Sequence, residues 1–240
     1  MKNVCEIPKN FQEHIKLEQI IIGHQGGEIF EKIKEIERSL YIFQGNFKEL
    51  LMEINNFSQP ENLVFFDVRN RENLESILVE IARRLHNFVA AALSLVEHTR
   101  RIVKEMYENT PFILEYKSEL EKRIIFNEQI QFVHDLRNFT LHYELPPIAA
   151  SLELNVIEHK LTIDIESLKK WTNWKSIPKK FLAVQSSDII LIDLVKKYAE
   201  IIFLFHDWLY NKQCEIHKEI FDEFNALNKA YSNSQWAIKF

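Results

Sequence analysis

Glycine and proline are scarce in this chain, four of the first and six of the second in 240 residues. That leaves few turns, excludes a turn-rich architecture and favours long helices. Two cysteines, Cys5 and Cys214, are too few for a disulfide framework and point to a reducing, cytoplasmic compartment. No stretch approaches the ~18 uncharged apolar residues that a membrane span requires. Residues 189–192 and 201–205 are apolar, but Asp193, Lys196, Lys197 and Glu200 lie between them. The first residues, with Glu6, Pro8 and Glu13, lack the apolar centre of a signal peptide. A basic surplus is also missing. The formal charge is −5, so any nucleic-acid site must be local.

Several catalytic signatures are absent too. Nine histidines are present without a zinc-ligand spacing. His206 and His217, on one helical face, would sit ~16 Å apart along the axis, too far for one ion. No metal or cofactor is assigned. His24-Gln25-Gly26-Gly27 reads as a turn and lacks the lysine and hydroxyl of a phosphate loop. No nucleophile elbow supports Ser/His/Asp chemistry.

What is there is apolar periodicity. Hydrophobic residues make up 46% of the chain, charged residues 27%, and eighteen phenylalanines should dominate the interior. Three segments carry apolar spacings of three and four: Ile29, Ile33, Ile36, Leu40, Phe43, Phe47, Leu50, Ile54; then Leu78, Ile81, Leu85, Phe88, Ala92, Leu95, Thr99, Ile102, Met106; then Leu191, Leu194, Tyr198, Ile201, Phe205, Trp208. Each puts one apolar seam along a long helix, and the helices should pack nearly antiparallel. Ser58-Gln59-Pro60 ends the first, with Gly45 a weak spot inside it, and Asn109-Thr110-Pro111 ends the second. Ser186 or Ser187 should cap the last, with Asp188 in its first turn.

Residues 113–143 predict a further helix, stopped by Glu144-Leu145-Pro146-Pro147. Beyond it the period drops to two: Leu152, Leu154 and Val156, then Leu161, Ile163 and Ile165, flank Glu158-His159-Lys160 as a hairpin. Residues 166–186, with Trp171, Trp174 and Pro178, suggest a short helix and a connecting loop. The expected architecture is an all-α, up-and-down bundle in one domain, 1–240. It comprises an N-terminal helical extension (1–60), a core (64–145), an appended β-hairpin (151–165) and a long C-terminal helix (187–231).

Two segments carry charge or chemistry. In 83–104, Arg83, Arg84, Arg100, Arg101 and Lys104 against Glu97 give a local +4, a binding patch or a solvated helix face. In Leu136–Tyr143, Arg137, Asn138 and His142 stand within two turns of a segment that otherwise reads as core. On an ideal helix Arg137 projects within about 20° of Phe126, on the apolar side, where it needs a partner or a wet cleft. Arg137 and His142 lie about 140° apart around the axis, so they converge only if the helix bends or a second copy completes the site.

Arg137-Asn138-Phe139-Thr140-Leu141-His142 resembles the motif of the HEPN superfamily: an arginine, a polar residue often asparagine, then a histidine after four to six intervening residues. The likeness is specific over roughly residues 113–145. It implies a helical bundle, paired motifs in a homodimer, and a metal-independent endoribonuclease acting as a toxin or antiviral effector. His142 would be general acid and base, Arg137 would hold the scissile phosphate, and Asn138 would orient the backbone or ribose. Products would be a 2′,3′-cyclic phosphate and a 5′-hydroxyl. The resemblance further implies a polar helper on the preceding helix, for which Glu97, His98 and Arg101 are equal candidates. These, with Tyr143, form the candidate substrate-binding set. An antitoxin partner is implied by the same resemblance. In one subgroup a tyrosine two residues after the histidine is modified; Glu144 stands there, so that regulation is not carried over. The alternative is a non-catalytic helical module binding nucleotide, RNA or a protein partner. A third reading is that Arg137 and His142 are structural.

Overall fold

The computed structural model describes residues 9–153 and 158–234. In chain order these are α1 (Lys9–Ile22), α2 (Gln25–Phe57), two 3-10 turns (Pro60–Phe66 and Val68–Asn70), α3 (Arg71–Tyr107), α4 (Phe112–Leu120), a π-helical turn (Glu121–Ile125), α5 (Glu128–His142), β1 (Ile148–Glu153), β2 (Glu158–Ile163), α6 (Ile165–Lys170), α7 (Ser176–Val184), β3 (Ile189–Ile190), α8 (Leu191–Ile216) and α9 (Lys218–Ser232). The fold is all-α with a small antiparallel sheet. No helix among the described residues is long and apolar enough to cross a membrane. The chain divides into two compact units, Ile36–Asp207 and Met1–Glu35 with Trp208–Phe240.

In the larger unit the three-and-four spacing becomes the core. Phe43, Leu50 and Ile54 of α2, Ile81, Leu85, Phe88, Leu95 and Ile102 of α3, and Leu194, Tyr198, Ile202 and Phe205 of α8 are all buried. Phe43 lies 5.3 Å from Phe88 and 6.0 Å from Tyr198, edge-on to the tyrosine. Each such burial is worth roughly 1.5–3 kcal/mol, enough in sum to override one poor helix former such as Gly45.

The sheet runs β1-β2-β3, every pair antiparallel. Ile148 faces Ile163, and Thr162 faces Ile190. The hairpin therefore starts and stops earlier than the expected 151–165, and β3 adds an edge. Leu154 and Val156 lie outside the described residues, as do Cys5, Glu6 and Pro8.

In the smaller unit α1 and α9 pack through aromatic and polar contacts. His14 stacks on Tyr231 at 4.5 Å, and its Nδ1 is 2.7 Å from Ser234 Oγ. His24 stacks on Phe224 at 5.4 Å and faces Glu223 at 3.7 Å. A Cβ on Gly26 would fall 2.8 Å from Phe224 Cβ. Gly26 is thus a close-approach residue at the start of α2 and not part of a free turn.

Four expectations need correction. The helix placed at 113–143 is interrupted: α4 runs into the π-helical turn, and Asn127 starts α5 afresh by accepting from Ile130 N at 3.1 Å. The long C-terminal helix breaks at His217 into α8 and α9. Ser186 and Ser187 do not cap α8, because β3 intervenes; Asp188 instead accepts from Ile165 N at 3.1 Å. Residues 166–186 hold two helices, and Trp171 and Trp174 are buried between them and α5. Trp174 stacks on Phe139 at 5.5 Å and donates from Nε1 to Leu168 O at 2.9 Å.

Candidate functional site

Helix α5 presents the Arg-Asn-His motif. Its buried side is Ile130, Phe132, Val133, Asp135, Leu136 and Phe139. Phe132 packs on Phe181 of α7 at 5.0 Å, and Phe139 lies 5.7 Å from Trp171. This aromatic clamp fixes the rotation of α5 and so fixes which side chains face outward. The helix ends at Tyr143, whose N–H still reaches Phe139 O at 2.9 Å, ahead of Pro146 and Pro147.

Arg137 is exposed, contrary to its expected place on the apolar side. The reason is the break at Phe126 and Asn127, which removes Phe126 from the register used to place it. Phe126 is itself 69% exposed, and Ile125 and Tyr143 are exposed as well. Arg137 therefore projects about 100° past Leu136, on the outer flank. Its guanidinium has no hydrogen-bond or ion-pair partner among the described residues. His142, on the last residue of α5, is exposed and equally without a partner. The two leave the helix on opposite flanks and rise ~7.5 Å relative to each other.

Asn138 is half-buried and held. Its Nδ2 donates to Asp135 Oδ1 at 2.8 Å, while Lys175 N donates to Asp135 Oδ2 at 2.8 Å. Asp135 is 2% exposed. It is the residue that sequence reasoning missed. An Asp three residues before an Asn was the available signal; the Lys175 amide, forty positions away, was not visible. Thr140 Oγ1 donates back to Arg137 O at 2.9 Å. Tyr143 packs on Phe139 at 5.3 Å.

One turn earlier, His134 Nε2 and the Tyr198 hydroxyl share a hydrogen bond of 3.0 Å. Burial, with a smaller push from the Lys175 charge, pulls this imidazole down to about 4. Burial likewise moves the Tyr198 phenol up. His134 is neutral near pH 7 and belongs to the core, not to the exposed motif.

The α3 candidates are engaged elsewhere. Glu97 pairs with Arg100, and Arg101 with Glu105 at 3.2 Å. His98 Nδ1 lies 2.6 Å from Ser39 Oγ of α2. None of them bonds to Arg137, Asn138 or His142. The +4 segment is likewise compensated by carboxylates outside its bounds. Arg83 pairs with Glu80 at 2.6 Å, Arg84 with Glu49 at 2.6 Å and Glu80 at 2.9 Å, and Lys104 with Glu108 at 3.7 Å. The hydrogen bond from Arg83 holds the Glu80 carboxyl down at about 2. Among the described residues no cluster of three or more His, Cys, Asp or Glu side chains is placed to hold a metal ion.

No protein family, no curated protein and no solved structure matches the chain.

Proposed function

We propose that the chain is a metal-independent endoribonuclease of HEPN type. One observation carries the reading: an arginine and a histidine at the motif's spacing, both exposed and both without a partner among the described residues, at the end of a helix whose rotation is fixed by aromatic packing. Arg137 supplies a planar two-pronged cation to the non-bridging oxygens of a phosphodiester. His142 takes the proton from the ribose 2′-hydroxyl as that oxygen attacks phosphorus. The P–O5′ bond breaks, and an imidazolium returns a proton to the departing 5′-oxygen. The products are a 2′,3′-cyclic phosphate and a 5′-hydroxyl. One Nδ2 hydrogen of Asn138 goes to Asp135, which holds the amide so that its carbonyl oxygen can accept from a ribose hydroxyl.

Opposite flanks of α5 cannot serve one phosphate. The reading therefore requires a homodimer in which Arg137 of one copy approaches His142 of the other. The toxin or antiviral role, an antitoxin partner and a cytoplasmic setting rest on the resemblance and on cysteine usage.

A second reading, the non-catalytic module, is favoured by the pairing along α3. Arg83, Arg84, Arg100, Arg101 and Lys104 each face a carboxylate, which removes a basic track for an RNA backbone. One assay separates the two. Purified protein is incubated with RNA in EDTA beside Arg137→Ala and His142→Ala. Cyclic-phosphate ends from wild type, with each variant slower by ~10²–10⁴-fold, support the nuclease. Folded protein that never cuts, or cutting that both variants retain, rejects it.

A further inference from the structure

Next to His142 the end of α5 exposes three apolar side chains, Leu141, Tyr143 and Leu145, at 50%, 47% and 52%. Single apolar side chains on a surface are ordinary, so exposure by itself assigns nothing. What sets Tyr143 apart is the way it is held.

Its ring lies 5.3 Å from that of Phe139, four residues earlier. Phe139 is fully buried and stacks on Trp174 with the two planes 11° apart, while Trp171 meets it edge-on. Tyr143 is thus the outermost ring of an aromatic stack that begins in the core. Its N–H is tied to Phe139 O at 2.9 Å, so the backbone is fixed as well. Its hydroxyl has no hydrogen-bond partner among the described residues, so no internal polar contact accounts for a tyrosine here. Tyr41 of α2 shows the contrast: it is 76% exposed and touches no other ring among the described residues. A ring anchored on its inner side and open on its outer side loses little freedom when a second flat group settles on it.

The neighbouring histidine says which flat group that is. Cα atoms of adjacent residues are about 3.8 Å apart, so whatever reaches the His142 imidazole is also within reach of the Tyr143 ring. The attack described above brings the 2′-hydroxyl of one nucleotide to His142, and that nucleotide carries a base. Aromatic side chains take unpaired bases by stacking, and a purine offers the larger face. We infer that Tyr143 stacks on the base of the nucleotide on the 5′ side of the cleaved bond. The site then takes single-stranded RNA and prefers a purine at that position. The inference rests on the ribonuclease reading for the identity of the nucleotide.

The test has two readouts, both on the full chain in EDTA. Fluorescence anisotropy with labelled ten-nucleotide 2′-O-methyl strands (all adenine, all uracil, or abasic) reports binding without cutting, because the attacking hydroxyl is blocked. Wild type should bind the adenine strand most tightly and the abasic strand least. Tyr143→Leu, which keeps an apolar side chain against Phe139, should weaken binding of the adenine strand by at least ~5-fold and leave the abasic strand unchanged. Tyr143→Phe should bind as wild type does. Thermal unfolding of both variants confirms folding before titration. In the second readout, the ends cut from a mixed-sequence RNA should show purines 5′ of the break with wild type, and no bias with Tyr143→Leu. Tyr143-dependent binding without any cutting would keep the stack and reject the nuclease reading; cutting with an unchanged base bias in Tyr143→Leu would do the reverse. No preference among the strands in wild type also overturns the proposal. So does a loss in Tyr143→Leu that extends to the abasic strand, which would assign the ring to a protein contact.

Discussion

Truncating the Asp135 carboxylate would strip the Lys175 amide of its acceptor and release the Asn138 side chain at the same time. A buried N–H left unmet costs ~1–3 kcal/mol, so Asp135→Ala is expected to lower unfolding stability by about 2 kcal/mol in a urea titration. Arg137 and His142 bury nothing and hold nothing, so Arg137→Ala and His142→Ala should each stay within ~0.5 kcal/mol of wild type. The contrast separates a residue that positions the motif from residues that face solvent. An unfolding loss above about 1 kcal/mol in either alanine variant would assign that side chain a structural role and remove the basis for the nuclease reading.

Helix α2 runs for 33 residues across Gly45, at which an added Cβ would meet nothing within 4 Å. Gly45→Ala should therefore raise stability by ~0.5–1 kcal/mol, through a stiffer unfolded chain and better helix propensity, with no packing cost. An unchanged or lower urea midpoint would contradict it. Helices of this kind were legible in the sequence because their seams are long and regular: Ile81, Leu85, Phe88, Ala92, Leu95, Thr99 and Ile102 of the three-and-four pattern are all buried on α3. The interruptions were not. The π-helical turn at Glu121–Ile125 and the break at His217 contain neither glycine nor proline, and only Asn127 hinted at a restart. Strand β3 is two residues long inside an apolar run that also begins α8, so period alone could not divide them. At the candidate site the spacing of Arg137, Asn138 and His142 was readable, whereas their exposure was not. Exposure depends on how Phe132 and Phe139 meet Trp174 and Phe181, contacts set by residues about forty positions away. The neutralisation of the α3 basic residues was legible in part, since Glu80 and Glu105 stand at helical spacing from Arg83, Arg84 and Arg101.

Two imidazoles of the larger unit, His134 and His206, are pulled down by burial and make its stability depend on mild acid. His206 donates from Nδ1 to Ile202 O at 2.8 Å and faces Thr99 Oγ1 through Nε2 at 3.1 Å. Burial brings it down to about 4, as it does His134. An unfolded chain titrates these rings near 6.5. Above that value both states are neutral, and the full stability is present. As pH falls from 6.5, the unfolded chain gains protons that the folded one refuses. Unfolding free energy then drops with a slope approaching ~1.4 kcal/mol per pH unit for each ring. The loss continues until the folded rings protonate near 4, amounting to about 3 kcal/mol for His206 and less for the more accessible His134. Carboxylates held low by hydrogen bonds, Glu80 by Arg83 and Glu119 by Arg123, add their own loss only below their ordinary value of 4.5. Urea unfolding between pH 6.5 and 4.5 therefore isolates the histidines. In His206→Gln, whose amide keeps a donor and an acceptor without titrating, the slope over that window should fall by up to ~1.4 kcal/mol per pH unit. Equal slopes in wild type and variant would show that His206 is not a source of the acid sensitivity.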